Sequence, residues 1–133
     1  GFPGLSVLDS IEVNEAPEVS HAVTLDLLRT RPDLIGIYCV GGGRSGVARA
    51  LREMPRRAKP IFICHDLTRL TRSYLIDDIA DVVIDQNARL IAEQSVMQLL
   101  GSIAAPTPFL PRTHIEPRLI FKENIPAQAL QAG

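Results

Sequence analysis

The sequence lacks the features that are typical of nucleic-acid-binding, membrane-spanning and disulfide-rich proteins. Its 133 residues include no tryptophan, 5% aromatic residues and two cysteines. Fourteen basic residues against fifteen acidic ones give a formal net charge of −1, whereas a nucleic-acid-binding surface is usually clearly basic. No apolar run approaches the ~20 residues that a membrane-spanning helix needs. The composition therefore argues against a DNA-binding surface or a membrane partner within this chain.

Both the amino terminus and the cysteines lack the marks of secretion. The opening GFPG has no initiator methionine, no basic region and no apolar stretch of a signal peptide. We therefore expect a piece of a longer, cytoplasmic protein. Cys39 and Cys64 form neither a C-x-x-C motif nor a Cys/His cluster, so we expect buried, reduced thiols. A disulfide stays possible if their strands are adjacent.

Apolar runs alternate with amphipathic segments along a chain of one domain's length. We predict an α/β fold with a doubly wound, mainly parallel sheet and helices on both faces. The central runs are apolar at every position, which is typical of strands covered on both sides, and parallel strands need crossover helices. The predicted strands are 5–13, 34–40, 61–64, 81–85 and 118–121, and the predicted helices run from Pro17 to before Pro32 and over 44–54, 67–75 and 88–100.

Two helices and a connector carry more detailed predictions. Val19, Val23 and Leu27 recur at i, i+4 and i+8, so this face of the first helix is expected to point inward. The long helix from residue 88 is expected to end at Gly101, because glycine is a usual helix terminator. The stretch 105–112 carries three prolines, which predicts an extended connector.

Three loops are expected to form a ligand site. In sheets of this kind ligands bind outside the carboxyl ends of the strands, where the loops into the helices meet. The loops are 41–46 (GGGRSG), 65–68 (HDLT) and 85–87 (DQN). Each offers groups suited to hydroxyls or phosphates, and all three should lie at one edge of the sheet.

The first loop also matches a nucleotide-binding pattern. Gly41, Gly43 and Gly46 fit G-x-G-x-x-G after a strand, with Asp66 20 residues beyond Gly46. The plain explanation is a glycine-rich turn from strand to helix. Two features weigh against the nucleotide: an earlier βα unit precedes the loop, and the further βα units of a cofactor site do not follow it.

The polar residues of the other loops have competing explanations. His65 has no accompanying nucleophile or second acid or base, so no catalytic set is predicted. Asp66 either contacts ligand or, like Thr68, caps the helix expected to start at residue 67. Asp85 and Gln86 precede the long helix and have the same capping explanation, with Asn87 as the expected cap. The scattered carboxylates form no set of metal ligands, so no metal site and no cofactor are predicted.

Four segments, in this order, resemble a known family. They are RPDLIGIYCVGGGRSGVARAL, PIFICHDLTRLTR, ADVVIDQNARLIAEQSVMQLL and RLIFKENIP. The chain resembles the effector-binding domain of LacI-family transcriptional regulators, whose type I fold is shared with periplasmic sugar-binding proteins. The resemblance covers the chain from about Leu5 to Pro126. It implies an effector-binding domain over 1–126, mostly its C-terminal lobe, with helix 88–101 crossing to the other lobe. It leaves 127–133 as a flexible tail and places the first lobe and the DNA-binding headpiece outside this chain.

The resemblance also implies roles for individual residues. Asp66 falls on the family's aspartate that accepts hydrogen bonds from effector hydroxyls, a task that suits a carboxylate. Gln86 falls on a polar ligand contact, where an amide both donates and accepts. His65 falls on a frequently aromatic position, where it stacks or forms a hydrogen bond.

The glycine loop departs from the family pattern. Many members carry an Asn-Asp pair there, whereas residues 40–43 of this chain have no polar side chain. We therefore expect the backbone N–H groups of Gly42 and Gly43, with Arg44 at the helix start, to face the ligand. Such a site suits an anion or a phosphorylated sugar.

The function implied by the resemblance is ligand sensing without chemistry. A sugar or related effector between two lobes would shift their angle, and a homodimer would transmit the shift to operator DNA through the headpiece. One alternative from the same fold is the solute-binding protein of a sugar ABC transporter. Another, from a different class, is a nucleotide-dependent α/β enzyme that uses the loop 41–46.

Overall fold

Helices and strands alternate along most of the chain. The computed structural model describes residues 3–55, 58–104 and 114–127. Its helices are α1 (Pro17–Thr30), α2 (Arg44–Arg52), α3 (Arg69–Ile76) and α4 (Ala88–Ala104), and its strands are β1 (Gly36–Cys39), β2 (Ile61–His65), β3 (Val82–Asp85) and β4 (Arg118–Ile120). A single 3-10 turn over Lys122–Asn124 follows β4.

The strands form one sheet in the order β1-β2-β3-β4. The first three strands run parallel and β4 pairs antiparallel with β3. Helices α2 and α3 provide the crossovers that parallel neighbours require. The predicted α/β class and mainly parallel sheet are confirmed. Because β1, β2 and β3 point the same way, the loops that follow them share one edge.

The core lies on one face of the sheet. Cys39, Cys64, Val83 and Ile120 are aligned in register across the four strands, and all are buried. They pack with residues of α2 and α3, including Val47, Leu51, Tyr74 and Leu75.

The opposite face departs from the prediction of helices on both sides. Tyr38, Ile61 and Leu119 are 58%, 53% and 53% exposed. Within the described residues no helix buries this face. The apolar runs do indicate two covered faces, but α2 and α3 both join the core on the same one.

Helix α1 buries two small polar residues most deeply, while Val23 and Leu27 of the predicted inward face are only partly buried. Ser20 and Thr24 are its buried residues, whereas Val19 is exposed. Ser20 Oγ donates to the Gly43 carbonyl at 2.7 Å, and Thr24 Oγ1 donates to the Ser20 carbonyl at 2.6 Å. The periodicity located an apolar stripe, but the most deeply buried positions of α1 are the two hydroxyl residues, whose side chains form hydrogen bonds with backbone carbonyls there.

The predicted strand 5–13 does not form. The segment has no regular structure, and Leu5, Val7 and Ile11 are exposed. A cavity of about 840 Å³ is lined by this segment, by α1 and by β1. A strand needs a hydrogen-bonded partner, and this segment does not pair with β1, the edge strand of the described sheet on this side. An apolar, alternating sequence was therefore not sufficient.

Helix α4 is longer than predicted. Gly101 lies inside the helix, which continues to Ala104, since one glycine in a helix costs only about 1 kcal/mol relative to alanine. The helix has no buried residue, and Val96, Met97 and Leu99 are more than half exposed. The predicted connector 105–112 and most of the predicted tail, 128–133, lie outside the described residues.

Candidate functional site

Side chains from three loops and one strand meet at the carboxyl edge of the sheet. Tyr38 Oη lies 2.6 Å from His65 Nε2, and Gln86 Nε2 lies 3.1 Å from His65 Nδ1. Arg44 Nη1 lies 3.9 Å from Asp66 Oδ2. The structure thus places Arg44 near Asp66 and Gln86 near His65, all of which the sequence singled out, and adds Tyr38, which it did not.

Asp66 is held by its backbone, which leaves its carboxylate available. Its N–H donates to the Ile84 carbonyl at 2.9 Å, and its carbonyl accepts from Thr71 Oγ1 at 2.6 Å. The residue has a φ of +64°, in the left-handed region that aspartate tolerates better than most residues. Its side chain is 50% exposed. The fold therefore places a solvent-facing carboxylate directly after β2.

The capping alternative for Asp66 is settled by Thr68. Helix α3 begins at Arg69, two residues later than predicted, and Thr68 is its N-cap. Thr68 Oγ1 accepts from the Thr71 N–H at 3.2 Å, and Thr71 Oγ1 accepts from the Thr68 N–H at 2.9 Å. This capping box satisfies the helix start. The Asp66 carboxylate is not used for it.

The loop after β3 has three polar residues, of which two stabilise the fold and one faces the candidate site. Asp85 is mostly buried and pairs with Arg118 of β4, with Oδ2 and Nη2 2.5 Å apart. Asn87 precedes α4, and its Oδ1 accepts from the Leu90 N–H over a long 3.4 Å. Gln86 is exposed and directed toward His65. Gln86 is thus the member of the loop whose side chain faces the candidate site.

The glycine loop is shaped by its contact with the segment before α1. Gly41 has a φ of +86°, and its carbonyl accepts from Arg44 Nη1 at 3.1 Å. A Cβ at Gly42 would lie 3.0 Å from Glu15 Cβ and 3.4 Å from Glu15 Oε2. The Glu15 carboxylate therefore lies beside the N-terminus of α2, where partial positive charge favours an anion. An anionic ligand at Gly42 would have to displace it.

The other glycines of the pattern have packing reasons as well. A Cβ at Gly43 would lie 2.9 Å from Val13 Cγ2, and one at Gly46 would lie 2.1 Å from the Pro17 carbonyl oxygen. Such distances are far below van der Waals contact. The G-x-G-x-x-G spacing is thus explained by the close approach of α1 and its preceding segment to α2, without a bound nucleotide.

Tyr38 was missed because its sequence signal is weak. It is a single tyrosine among aliphatic residues in a predicted strand. In the sheet Tyr38 is in register with Ile63, so His65, two residues further along β2, is its diagonal neighbour on the same face. Diagonal neighbours are within reach of long side chains. The two ring centroids are 5.5 Å apart at an interplanar angle of 49°.

The two cysteines lie next to this site but inside the core. Cys39 and Cys64 are register partners on adjacent strands, and both are buried and free. Burial raises the pKa of the Cys39 thiol and raises that of Cys64 to about 12. The thiols are thus held protonated and are poor nucleophiles.

The described part of the chain contains no group of three His, Cys, Asp or Glu residues placed to hold a metal ion. No helix within 3–55, 58–104 or 114–127 has the length and apolar character to cross a membrane.

Several solved structures share the fold. A glucose-galactose binding protein from Geobacillus stearothermophilus is 20% identical over 86% of this chain and 41% of its own, with a TM-score of 0.75. An Agrobacterium vitis ABC transporter solute binding protein with bound D-fucose is 18% identical over 91% of this chain and 42% of its own (TM-score 0.78). Another from the same organism, bound with alpha-D-tagatopyranose, is 16% identical over 96% and 43% (TM-score 0.82).

These comparisons establish the fold and the family. The chain spans less than half the length of the structures that it matches. No curated protein matches the sequence. The family model described as a periplasmic binding protein domain matches residues 1–105, which is most of the chain. The chain therefore belongs to the periplasmic binding protein domain family.

Proposed function

We propose that this chain supplies one lobe of a sugar-binding cleft in the solute-binding protein of a sugar ABC transporter. The observation that carries the proposal is the Asp66 carboxylate, which is exposed at the carboxyl edge of the sheet and released from helix capping by Thr68. Structural neighbours named as sugar-binding or transporter solute-binding proteins support the choice of ligand and of protein class.

The chemistry of the edge suits the hydroxyls of a sugar. An ionised carboxylate accepts hydrogen bonds at both oxygens, so Asp66 can hold two neighbouring hydroxyls. The guanidinium of Arg44 adds donors beside it, and the amide of Gln86 both donates and accepts. Together these groups bind and orient a polyol. We propose that they hold the sugar unchanged and that the chain is not an enzyme.

The charge at the glycine loop favours a neutral ligand over the phosphorylated sugar that the loop alone suggested. Glu15 lies beside Gly41 and Gly42 at the start of α2. A phosphate there would meet the Glu15 carboxylate at short range, and like charges that close repel. We therefore place a neutral monosaccharide at the edge.

Closure of the cleft requires a second lobe. A ligand held between two lobes favours the closed arrangement, because it contacts both lobes only there. In this chain the proposed contacts all come from one side, namely the edge formed by β1, β2 and β3. The remaining contacts are assigned to polypeptide beyond the 133 residues.

A second candidate is the ligand-sensing part of a LacI-type regulator. The free, buried pair Cys39 and Cys64 favours it, because reduced thiols are usual in the cytoplasm. On this alternative the protein is a cytoplasmic homodimer that binds operator DNA through a headpiece outside this chain. Fractionation of the native cells separates the candidates: release with the periplasmic fraction supports the transporter protein, and retention in the cytoplasm supports the regulator.

The ligand site is tested by titration with sugars. The chain is titrated with D-fucose, D-tagatose, D-allose and D-arabinose up to their solubility, and binding is followed by amide chemical shifts in NMR spectra. We expect at least one sugar to shift the amides of residues 41–44, 65–67 and 86. Asp66→Asn should weaken that binding about tenfold or more, whereas Asp26→Asn, the same change on the exposed face of α1, should not alter it.

The titration can also contradict the proposal. An Asp66→Asn variant that binds as tightly as the wild type would remove Asp66 from the site. A wild-type chain that binds none of the four sugars at these loops would overturn the proposed function.

A further inference from the structure

Tyr38, His65 and Gln86 form a continuous chain of hydrogen bonds at the candidate site. The imidazole of His65 lies between the other two side chains, with Nε2 2.6 Å from Tyr38 Oη and Nδ1 3.1 Å from Gln86 Nε2. The three residues come from β1, the end of β2 and the loop after β3. This series of hydrogen bonds therefore spans all three parallel strands at the edge where their loops meet.

The atoms involved determine which group donates and which accepts in each of these two hydrogen bonds. An amide nitrogen only donates, so Gln86 Nε2 requires His65 Nδ1 to accept. A neutral imidazole that accepts at Nδ1 carries its proton on Nε2. Nε2–H then donates to Tyr38 Oη. The hydroxyl hydrogen of Tyr38 remains available to donate elsewhere.

We propose that Tyr38 is a further ligand-contacting residue and that the relay Gln86→His65→Tyr38 sets its hydroxyl as a hydrogen-bond donor. The bound molecule would then present an acceptor oxygen at that point, such as a ring oxygen or a hydroxyl oxygen. The inference rests on the proposed function for the existence of a sugar site. It adds a specificity-determining residue and a direction to that site.

Exposure and position support a contact with ligand. Tyr38 is 58% exposed, so its hydroxyl is open on the side away from His65. Its ring extends along the strands toward the carboxyl edge, because its partner His65 lies two residues beyond its register neighbour Ile63. Asp66 follows His65 directly. An accepting carboxylate and a donating phenol are thus both carried by the carboxyl edge, and the hydroxyls of a polyol can donate to the first and accept from the second.

The direction of the relay can be measured without any ligand. We would record ¹⁵N chemical shifts of the imidazole nitrogens in the full 133-residue chain at about pH 8, where an ordinary histidine is neutral. We expect His65 to carry its proton on Nε2. His21 serves as an internal reference, since its Nε2 lies 2.8 Å from the acceptor Glu53 Oε1 and should also be protonated.

A single isosteric change should reverse the relay. Gln86→Glu replaces a donor with an acceptor, so His65 should move its proton to Nδ1 and accept from Tyr38 at Nε2. Gln98→Glu makes the same change on exposed α4 and should leave the tautomer unaltered. A His65 tautomer already protonated at Nδ1 in the wild type, or one indifferent to Gln86→Glu, would overturn the relay whether or not a sugar binds.

The contact with ligand is tested separately with D-tagatose and D-fucose. Tyr38→Phe removes the hydroxyl and keeps the ring, and we expect it to weaken the binding of whichever sugar the wild type holds by about tenfold. Equal binding by wild type and Tyr38→Phe would overturn the inference while leaving the proposed function intact. Failure of the wild type to bind either sugar or the other two of the panel would overturn the proposed function, and the ligand contact with it.

Discussion

Gly46 of α2 lies directly against Ser20 of α1. A Cβ built on Gly46 would be 2.1 Å from Ser20 Oγ and 2.7 Å from the His21 backbone nitrogen. Neither atom belongs to a flexible side-chain end that could move aside freely, because Ser20 is buried and hydrogen-bonded to Gly43. The third glycine of the G-x-G-x-x-G pattern is thus a helix-packing residue.

Gly46→Ala should therefore destabilise the fold. Separating α1 from α2 far enough for a methyl group overpacks the interface, and we expect a loss of about 2–4 kcal/mol in the free energy of unfolding. Urea denaturation followed by circular dichroism measures it. Gly36→Ala is the matched control, since its Cβ would meet only the Ile61 carbonyl at 3.6 Å. Similar losses for both variants would argue against the packing role.

Alkaline pH should destabilise the protein through its buried thiols. An exposed thiol loses its proton near pH 9, whereas burial raises the pKa of Cys64 to about 12 and also raises that of Cys39. Between these values the folded chain binds more protons than the unfolded chain, so the free energy of unfolding falls as pH rises. Below about pH 9 this contribution is constant. Urea midpoints at about pH 8 and about pH 11 test the direction.

Two further measurements isolate the thiols from other titrating groups. Burial also raises the pKa of Tyr74, which acts in the same direction. Cys64→Ala should therefore reduce, but not abolish, the alkaline loss. At about pH 8 we expect a thiol reagent to modify both cysteines rapidly in urea and neither in the folded chain. Rapid modification of the folded chain would contradict the assigned burial.

The ion pair between Arg118 and Asp85 should hold β4 against β3. The Asp85 side chain is only 14% exposed, so removal of Arg118 leaves a partly buried carboxylate without its cation. We expect Arg118→Ala to cost about 1–3 kcal/mol and to broaden the amide signals of 85–87. Arg89→Ala breaks an exposed pair with Glu93 and should leave stability almost unchanged, because water screens such a pair. Equal effects would show that β4 does not depend on the pair.

Because the backbone of Asp66 is in the left-handed region, different substitutions at this position should differ in their effect on stability. Asparagine tolerates a positive φ nearly as well as aspartate, while alanine does not. We therefore expect Asp66→Ala to be less stable than Asp66→Asn by about 1 kcal/mol, measured by urea denaturation. Asp66→Gly should be at least as stable as Asp66→Asn. The reverse order would show that the side chain, and not the backbone, limits stability here.

Much of the fold could be predicted from the sequence because its signals are local. The apolar runs around Cys39, Cys64 and Val83 identified three parallel strands, and amphipathic spacing and prolines located the helices between them. Prediction failed for residues 5–13, which do not pair with the edge strand β1, and for Val19, which is exposed while Ser20 and Thr24 are the buried residues of α1. Both failures concern partners that are distant along the chain.

The candidate site was likewise predictable only in the features that local sequence signals determine. The order of strands and helices alone determined that the loops 41–46, 65–68 and 85–87 lie at one edge, because parallel strands end on the same side. Only the tertiary structure decided that Thr68 caps α3, that Glu15 lies beside the glycine loop and that Tyr38 reaches His65. Each of these depends on distances between backbone segments, which a pattern of residue types does not contain.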